Sequence, residues 1–252
     1  MTVVFVHGNP ESDAIWGPLL AEFGRDDVRT LSPPGFGAPV PDGFGARVTD
    51  YRDWLIGELT AIGEPVHLVG HDWGGGHVVN VAMTRPDLLR SWASDVVTLF
   101  DPAYEWHDLA KVWQTPGAGE ENLARMFGGS AADRAAGMVT GLGFPPEVAA
   151  AVAAVQGPDM ARCVLALYRS AAQPAMADLG RDLERAAARP GLAIVATADQ
   201  FRAGDGRALN SRTAARAGAR TAELDGLGHW WMLQDPKRGA EVISAFLAEV
   251  EG

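Results

Sequence analysis

The chain has 252 residues, 47% of them hydrophobic, so it is long enough to bury one full core. Its formal net charge of −11 would repel polyanions such as nucleic acids and acidic membrane surfaces. The single cysteine, Cys163, excludes an intramolecular disulfide and fits a reducing compartment. We therefore expect a globular, cytoplasmic protein that binds neither nucleic acid nor a membrane.

Short apolar segments rich in β-branched residues predict buried parallel strands. The first ten residues, MTVVFVHGNP, hold one of them, and this apolar run is too short for a signal peptide or a membrane span. In chain order the predicted strands are residues 2–6, 28–31, 66–69, 94–99, 192–197 and 220–224.

Helical patterns alternate with these strands. Tyr51, Trp54, Leu55 and Leu59 have helical spacing, a second pattern starts at His77 and stops at Arg85-Pro86, and a last one covers residues 236–250. The alternation of strand and helix predicts an α/β fold with an open, mostly parallel sheet and helices on both faces.

The alternation stops between residues 101 and 189, where alanine-rich stretches are divided by proline and glycine. We interpret this segment as a helical cap inserted into a core of residues 1–100 and 190–252. Loop-borne Trp106, Trp113 and Tyr168 could line a pocket beneath the cap or fill the interior of the cap itself.

The sequence GHDWGGG at residues 70–76 follows a predicted strand and precedes a helix. Such a turn needs small flanking residues, which Gly70 and Gly74 supply, and it presents Asp72 at its tip. The helix N-terminus favours the ionised carboxylate, which needs no base to become a nucleophile. A carboxylate nucleophile suits attack on a saturated carbon and would give an alkyl-ester intermediate.

Simpler interpretations of this stretch are a helix-capping aspartate or a phosphate loop. The segment lacks the Lys-Ser/Thr pair of a P-loop and does not fit G-x-G-x-x-G. His67, His71 and Asp72 could indicate a metal, but no further His/Cys cluster supports ligation. We therefore expect neither a metal nor another cofactor.

Release of an alkyl ester requires water and a base that an acid orients. His229 lies on a glycine-rich loop after one predicted strand, and Asp199 follows the strand before it. Both positions are at carboxyl ends of strands, where open α/β sheets build their sites. Asp95 and Asp101 are rival acids after the previous strand, but the surroundings of Asp199 fit better.

These motifs together resemble the α/β-hydrolase fold family, specifically its branch with an aspartate nucleophile, which contains epoxide hydrolases and haloalkane dehalogenases. Five ordered segments carry the resemblance over nearly the whole chain: HGNP at residues 7–10, PPGFG at 33–37, GHDWGG at 70–75, ATADQF at 196–201 and GLGHWW at 226–231.

The resemblance implies that Asp72 is the nucleophile, His229 the base and Asp199 its partner. It also implies that the backbone N–H groups of Asn9 and Trp73 form an oxyanion hole. Members of the family usually have an antiparallel hairpin before the HGxP strand, and this chain begins at that strand. We therefore expect a sheet of about six strands, with an edge that could be protected by pairing in a homodimer.

The leaving group separates the two activities of this branch. An epoxide leaves as a strongly basic alkoxide and needs proton donors, and Tyr168 resembles the later of two cap tyrosines that do this. The earlier tyrosine is missing near Leu109 and Trp113, and Tyr104 is at best a substitute. A halide needs only N–H donors, which Trp73 and Asn9 could supply.

Tyr168 favours an epoxide hydrolase over a haloalkane dehalogenase. Tyr104, Trp113 and Trp230 are expected to line a pocket for a small apolar substrate. A protein that binds such a ligand without turning it over is a third interpretation, because a fold alone does not prove activity. An ordinary ester hydrolase is disfavoured, since carboxylate attack on an ester carbonyl would give an anhydride.

Overall fold

The strands form one parallel sheet in the computed structural model, which describes residues 1–201 and 206–252. The strand order is β2-β1-β3-β4-β5-β6, and every pair of neighbours is parallel. The predicted parallel sheet of about six strands is therefore confirmed. The strands are β1 (Val3–Val6), β2 (Val28–Leu31), β3 (Val66–Gly70), β4 (Leu89–Ser94), β5 (Gly191–Ala196) and β6 (Ala219–Leu224).

Helices cover the sheet and fill the segment between β4 and β5. They are α1 (Gly17–Phe23), α2 (Val48–Ile62), α3 (Trp73–Thr84), α4 (Asp108–Gln114), α5 (Ala118–Met126), α6 (Ala131–Leu142), α7 (Pro146–Val155), α8 (Pro158–Ser170), α9 (Ala175–Leu179), α10 (Gly206–Arg216), α11 (Trp231–Gln234) and α12 (Pro236–Glu251). Short 3₁₀ helices occur at Asp13–Trp16, Pro86–Leu88, Val97–Phe100 and Gly180–Ala188.

Strand β1 shows why the sheet is covered on both faces. Successive side chains of a strand point to opposite faces, so a strand buried on both sides is apolar throughout. Val4 and Val6 pack into a core with residues of α2 and α3, whereas Val3 and Phe5 pack into a second core with α1 and α12. Both cores depend on this completely buried central strand.

The strand predicted at residues 94–99 was wrong. The observed strand β4 is Leu89–Ser94, and the β-branched run that follows forms the 3₁₀ helix Val97–Phe100. Strand β3, the neighbour of β4, ends at Gly70, which pairs with Ser94. Beyond Ser94 the chain has no residue of β3 to pair with, and it also leaves β5, which continues past Ala193 to Ala196 without β4 as a partner.

The segment predicted as a cap, residues 101–189, contains helices α4–α9 and no strand. The description of its aromatic residues as loop-borne was wrong for two of them, because Trp113 lies in α4 and Tyr168 in α8. Only Trp106 lies on a loop.

Helix α3 also begins earlier than the pattern from His77 indicated. It starts at Trp73, directly after Asp72, because the glycines at its start carry no apolar signal.

No described helix is by itself long and apolar enough to span a membrane. Helices α7 and α8 reach that length and hydropathy only as a pair, and the pair is bent by 83°.

Gly74 allows β1 and α3 to approach each other. A Cβ at this position would overlap the carbonyl oxygen of Val6. Because this neighbour is backbone rather than a flexible side chain, Gly74→Ala should lower the free energy of unfolding by about 1–3 kcal/mol, as measured by urea denaturation. Gly57 is the matched control, since a Cβ there meets no atom within 4 Å. Gly57→Ala should stabilise α2 by about 0.5–1 kcal/mol, and equal losses in both variants would contradict the close approach.

Candidate active site

The predicted site residues come from loops at the carboxyl ends of four strands. Asn9 follows β1, Asp72 follows β3, Asp199 follows β5 and His229 follows β6. Strands β2 and β3 lie on opposite sides of β1, so the connections that follow β1 and β3 run in different directions. Open α/β sheets bind ligands in the crevice that such a reversal of strand order creates.

The turn after β3 holds Asp72 in an uncommon backbone conformation, with φ of 49° and ψ of −129°. Positive φ strains a residue with a side chain and persists only when neighbours hold it in place. Two contacts hold it here. The backbone N–H of Asp72 donates to Asp95 Oδ1 at 2.9 Å, and the backbone N–H of Asn9 donates to Asp72 Oδ1 at 3.0 Å.

The carboxylate of Asp72 is largely enclosed, because only 17% of the side chain is exposed. Burial raises its pKa to about 6, although the charges of His229 and His71 and the backbone N–H of Trp73 oppose the rise. The group is therefore mostly ionised at pH 7 and becomes protonated as the pH falls below about 6.

His229 lies between two carboxylates. Its Nδ1 contacts Asp199 Oδ2 at 3.0 Å, and its Nε2 lies 3.9 Å from Asp72 Oδ2, too far for a direct hydrogen bond. Burial lowers the pKa of His229, but the hydrogen bond to Asp199 and the charges of both aspartates outweigh it and raise the pKa above its usual value.

Neither rival acid is bonded to His229. Asp101 accepts hydrogen bonds from Arg212 and Thr213, away from the imidazole. Asp95 accepts from the backbone N–H of Asp72. Of these three carboxylates, Asp199 is the one that contacts His229 Nδ1.

A second histidine network lies behind Asp72, and sequence reasoning missed it. His71 Nδ1 contacts Asp95 Oδ2 at 2.5 Å, and His71 Nε2 lies 3.5 Å from Glu11 Oε1. Burial lowers the pKa of His71, but the two carboxylates more than offset this and hold it well above its usual value. Trp231 Nε1 also donates to Asp95 at 2.8 Å. His71 is therefore a buried cation held between two anions.

Three residues of this region have metal-ligand side chains close together. Ligand atoms of Glu11, His71 and His229 all lie within 4.8 Å of one another. A metal binds only a histidine nitrogen that has lost its proton, and the high pKa of His71 opposes this. The arrangement fits an ion-pair network better than a metal site.

A cavity of about 340 Å³, here called the main cavity, opens above Asp72 and His229. Its polar end also includes Tyr168, whereas the rest of its wall is largely apolar. The apolar wall includes Leu109, Met126, Met138, Leu142, Phe144 and Val152. Such a cavity suits a small apolar molecule that reacts at one end.

The structure brings most predicted pocket residues to the main cavity. Trp113 and Trp230 line it, and their indole N–H groups are engaged by Asn122 and Glu11. Tyr104 instead lines a smaller neighbouring space of about 40 Å³, here called the side cavity, together with Trp73.

Tyr168 lines both cavities, and its ring lies edge-on to Trp73 with 5.5 Å between centroids. Burial and the negative charge of Asp72 raise the pKa of Tyr168 well above its usual value, and the neighbouring Trp73 side chain opposes this rise. The hydroxyl of Tyr168 therefore keeps its proton at neutral pH.

The pKa values of two buried histidines, His71 and His77, should be shifted in opposite directions. We expect both ring nitrogens of His71 to carry protons at pH 8, because Asp95 and Glu11 stabilise the cation. His77 should stay neutral at pH 5, because burial lowers its pKa to about 3. Long-range ¹H–¹⁵N spectra of the imidazole rings measure both states. A neutral His71 at pH 8 would contradict the ion-pair network.

Comparison with known proteins identifies the family to which this chain is similar. The profile described as "Alpha/beta hydrolase family" matches residues 3–242. The probable oxidoreductase EphD of Mycobacterium tuberculosis is 40% identical over 105 residues, which are 39% of this chain and 17% of that protein.

Two further relatives carry names from the branch considered above. A haloalkane dehalogenase of Mesorhizobium japonicum is 32% identical over 133 residues, 48% of this chain and 42% of that protein. An epoxide hydrolase of Caballeronia sordidicola is 33% identical over 95 residues, 35% of this chain and 29% of that protein. The matches thus span less than half the length of each of these curated relatives.

Solved structures show the same fold over the whole chain. Haloalkane dehalogenase DbeA from Bradyrhizobium elkani aligns with a TM-score of 0.71 at 22% identity, covering 99% of this chain and 90% of that one. At this identity the similarity establishes the fold.

Proposed function

The chain belongs to the alpha/beta hydrolase family, and from the site within that fold we propose that it hydrolyses epoxides to diols through an ester on Asp72. The observation that carries this proposal is the position of Tyr168. It lines the main cavity beside Asp72, and its raised pKa keeps the proton on its hydroxyl. A donor of this kind serves an alkoxide leaving group.

In the first step, Asp72 Oδ2 attacks an epoxide carbon and the bond from that carbon to the ring oxygen breaks. Oδ1 is held by the Asn9 N–H, which leaves Oδ2 as the oxygen facing His229 and the cavity. Tyr168 donates its hydrogen bond, and finally its proton, to the leaving oxygen. The product is an ester between Asp72 and a hydroxyalkyl group.

In the second step, water attacks the carbonyl carbon of this ester. His229 Nε2 accepts the proton of the water, and Asp199 stabilises the resulting imidazolium through Nδ1. The negative charge that develops on Oδ1 is stabilised by the backbone N–H groups of Asn9 and Trp73. Collapse releases the diol and the Asp72 carboxylate, and the proton on His229 returns to Tyr168.

Halide displacement is the second candidate, and one observation favours it. The side-chain amide of Asn9 is buried, and its Nδ2 has no hydrogen-bond partner among the described residues, so it could hold a halide. Against this, Trp73, the other expected halide donor, lines the side cavity and does not line the main cavity. Tyr168 lines both cavities, so its hydroxyl is better placed for a substrate in the main cavity.

His229→Gln should trap the ester, because Asp72 can still attack whereas water is no longer activated. After incubation with a styrene-oxide-type epoxide, mass spectrometry should find the adduct on the peptide that contains Asp72. The adduct should form more slowly at pH 5 than at pH 7.5, since protonation removes the nucleophile. Asp72→Ala is the control and should give neither adduct nor diol. Undiminished turnover in both variants would end the proposal of an Asp72 ester.

Tyr168→Phe separates the two leaving groups. It removes the donor and keeps the ring, so diol formation from the epoxide should fall on the order of 100-fold. Bromide release from a bromoalkane should change little, because a halide needs no proton. The two assays measure diol and bromide with the same variant. Bromide release without diol formation by the unmodified protein would favour the dehalogenase.

A further inference from the structure

We infer that His107 is a second hydrogen-bond donor to the epoxide oxygen and acts together with Tyr168. The inference rests on the proposed epoxide hydrolysis. It assigns a role to a residue that the sequence motifs did not single out, at the place where the expected first cap tyrosine is missing.

Helix α4 fixes which nitrogen of His107 carries the proton. His107 is the N-cap of α4, and its Nδ1 accepts a hydrogen bond from the backbone N–H of Ala110 at 3.2 Å. A backbone N–H only donates, so Nδ1 is unprotonated and the neutral ring must carry its proton on Nε2. The cap thus selects the tautomer that presents an N–H away from the helix.

The surroundings keep this imidazole neutral. Burial and the charge of His229 lower the pKa of His107 to about 4, against the opposing charges of Asp199 and Asp108. A neutral imidazole N–H donates a hydrogen bond without giving up a full charge, which suits an oxygen that gains negative charge in the transition state.

The ring of His107 borders the two cavities that the proposed reacting groups also line. His107 lines both the main cavity and the side cavity, as Asp72, Tyr168 and His229 also do. Its ring centroid lies 6.5 Å from that of Tyr168 and 5.2 Å from that of Phe201. Among the side chains that the structure describes, none is hydrogen-bonded to Nε2, and the contact of the ring is made by Nδ1. The N–H is thus available to a ligand.

Tyr104, the proposed substitute for the missing tyrosine, is less well placed. It lines the side cavity, and its ring lies edge-on to Trp106 at 5.2 Å. His107 reaches the main cavity, so it is the better partner for Tyr168.

The test separates the donor from the helix cap. His107→Ser keeps an N-cap oxygen for Ala110 but is too short to replace the ring N–H in the cavity. His107→Gln restores an N–H donor at a similar reach. Ser130→Ala is the matched control. Ser130 caps α6, which contributes Met138 to the main cavity, but Ser130 itself does not line that cavity.

Rapid-mixing experiments with a styrene-oxide-type epoxide should measure ester formation and ester hydrolysis as separate rates. His107→Ser should slow ester formation on the order of 100-fold and leave ester hydrolysis unchanged, because the leaving oxygen takes part only in the first step. His107→Gln should recover most of the lost rate, and Ser130→Ala should change neither step.

The outcomes distinguish this inference from the function on which it rests. If Tyr168→Phe slows ester formation and His107→Ser does not, the role of His107 is overturned and epoxide hydrolysis stands. If His107→Ser slows both steps equally, His107 has a structural role and the inference also fails. If the unmodified protein forms no ester with epoxides, both proposals fall.

Discussion

The backbone at residue 72 is the constraint on which the site depends. A non-glycine residue at positive φ costs about 1–3 kcal/mol, and the surrounding fold must supply that energy. Here Asp95 binds the N–H of Asp72 from one side and Asn9 binds its carboxylate from the other. Gly74 completes the arrangement by letting β1 approach the start of α3. The strained turn and the two loops that carry Asn9 and Asp95 therefore form one unit.

Buried charges of alternating sign lie beside this turn. The cation of His71 is between the carboxylates of Asp95 and Glu11, and because these groups are buried, each charge is stable only with its partner present. In front of them, Asp72 faces His229, whose imidazole is in turn held by Asp199. This alternation keeps a cation close to the carboxylate of Asp72 and limits how far burial can raise its pKa.

Local patterns predicted β1 and β5 well because these strands are short and completely apolar. They failed at β4, whose sequence LRSWAS is less apolar than the run after it, and whose pairing with β3 stops at Ser94. Asp72, Asp199 and His229 could be found because each follows a strand beside a turn. The contacts of His71 with Asp95 and of His107 with the cavity join segments that only folding brings together, so no local spacing indicated them.

The apolar wall of the main cavity contains two methionines, Met126 and Met138, on the helices between β4 and β5. Thioether side chains are unbranched and adapt their shape at little energetic cost. The opposite end is built from a fixed turn, a capped helix and hydrogen-bonded rings. With one rigid end and one compliant end, the proposed epoxide hydrolase would discriminate strictly at the bond that breaks and tolerate variety in the hydrocarbon attached to it.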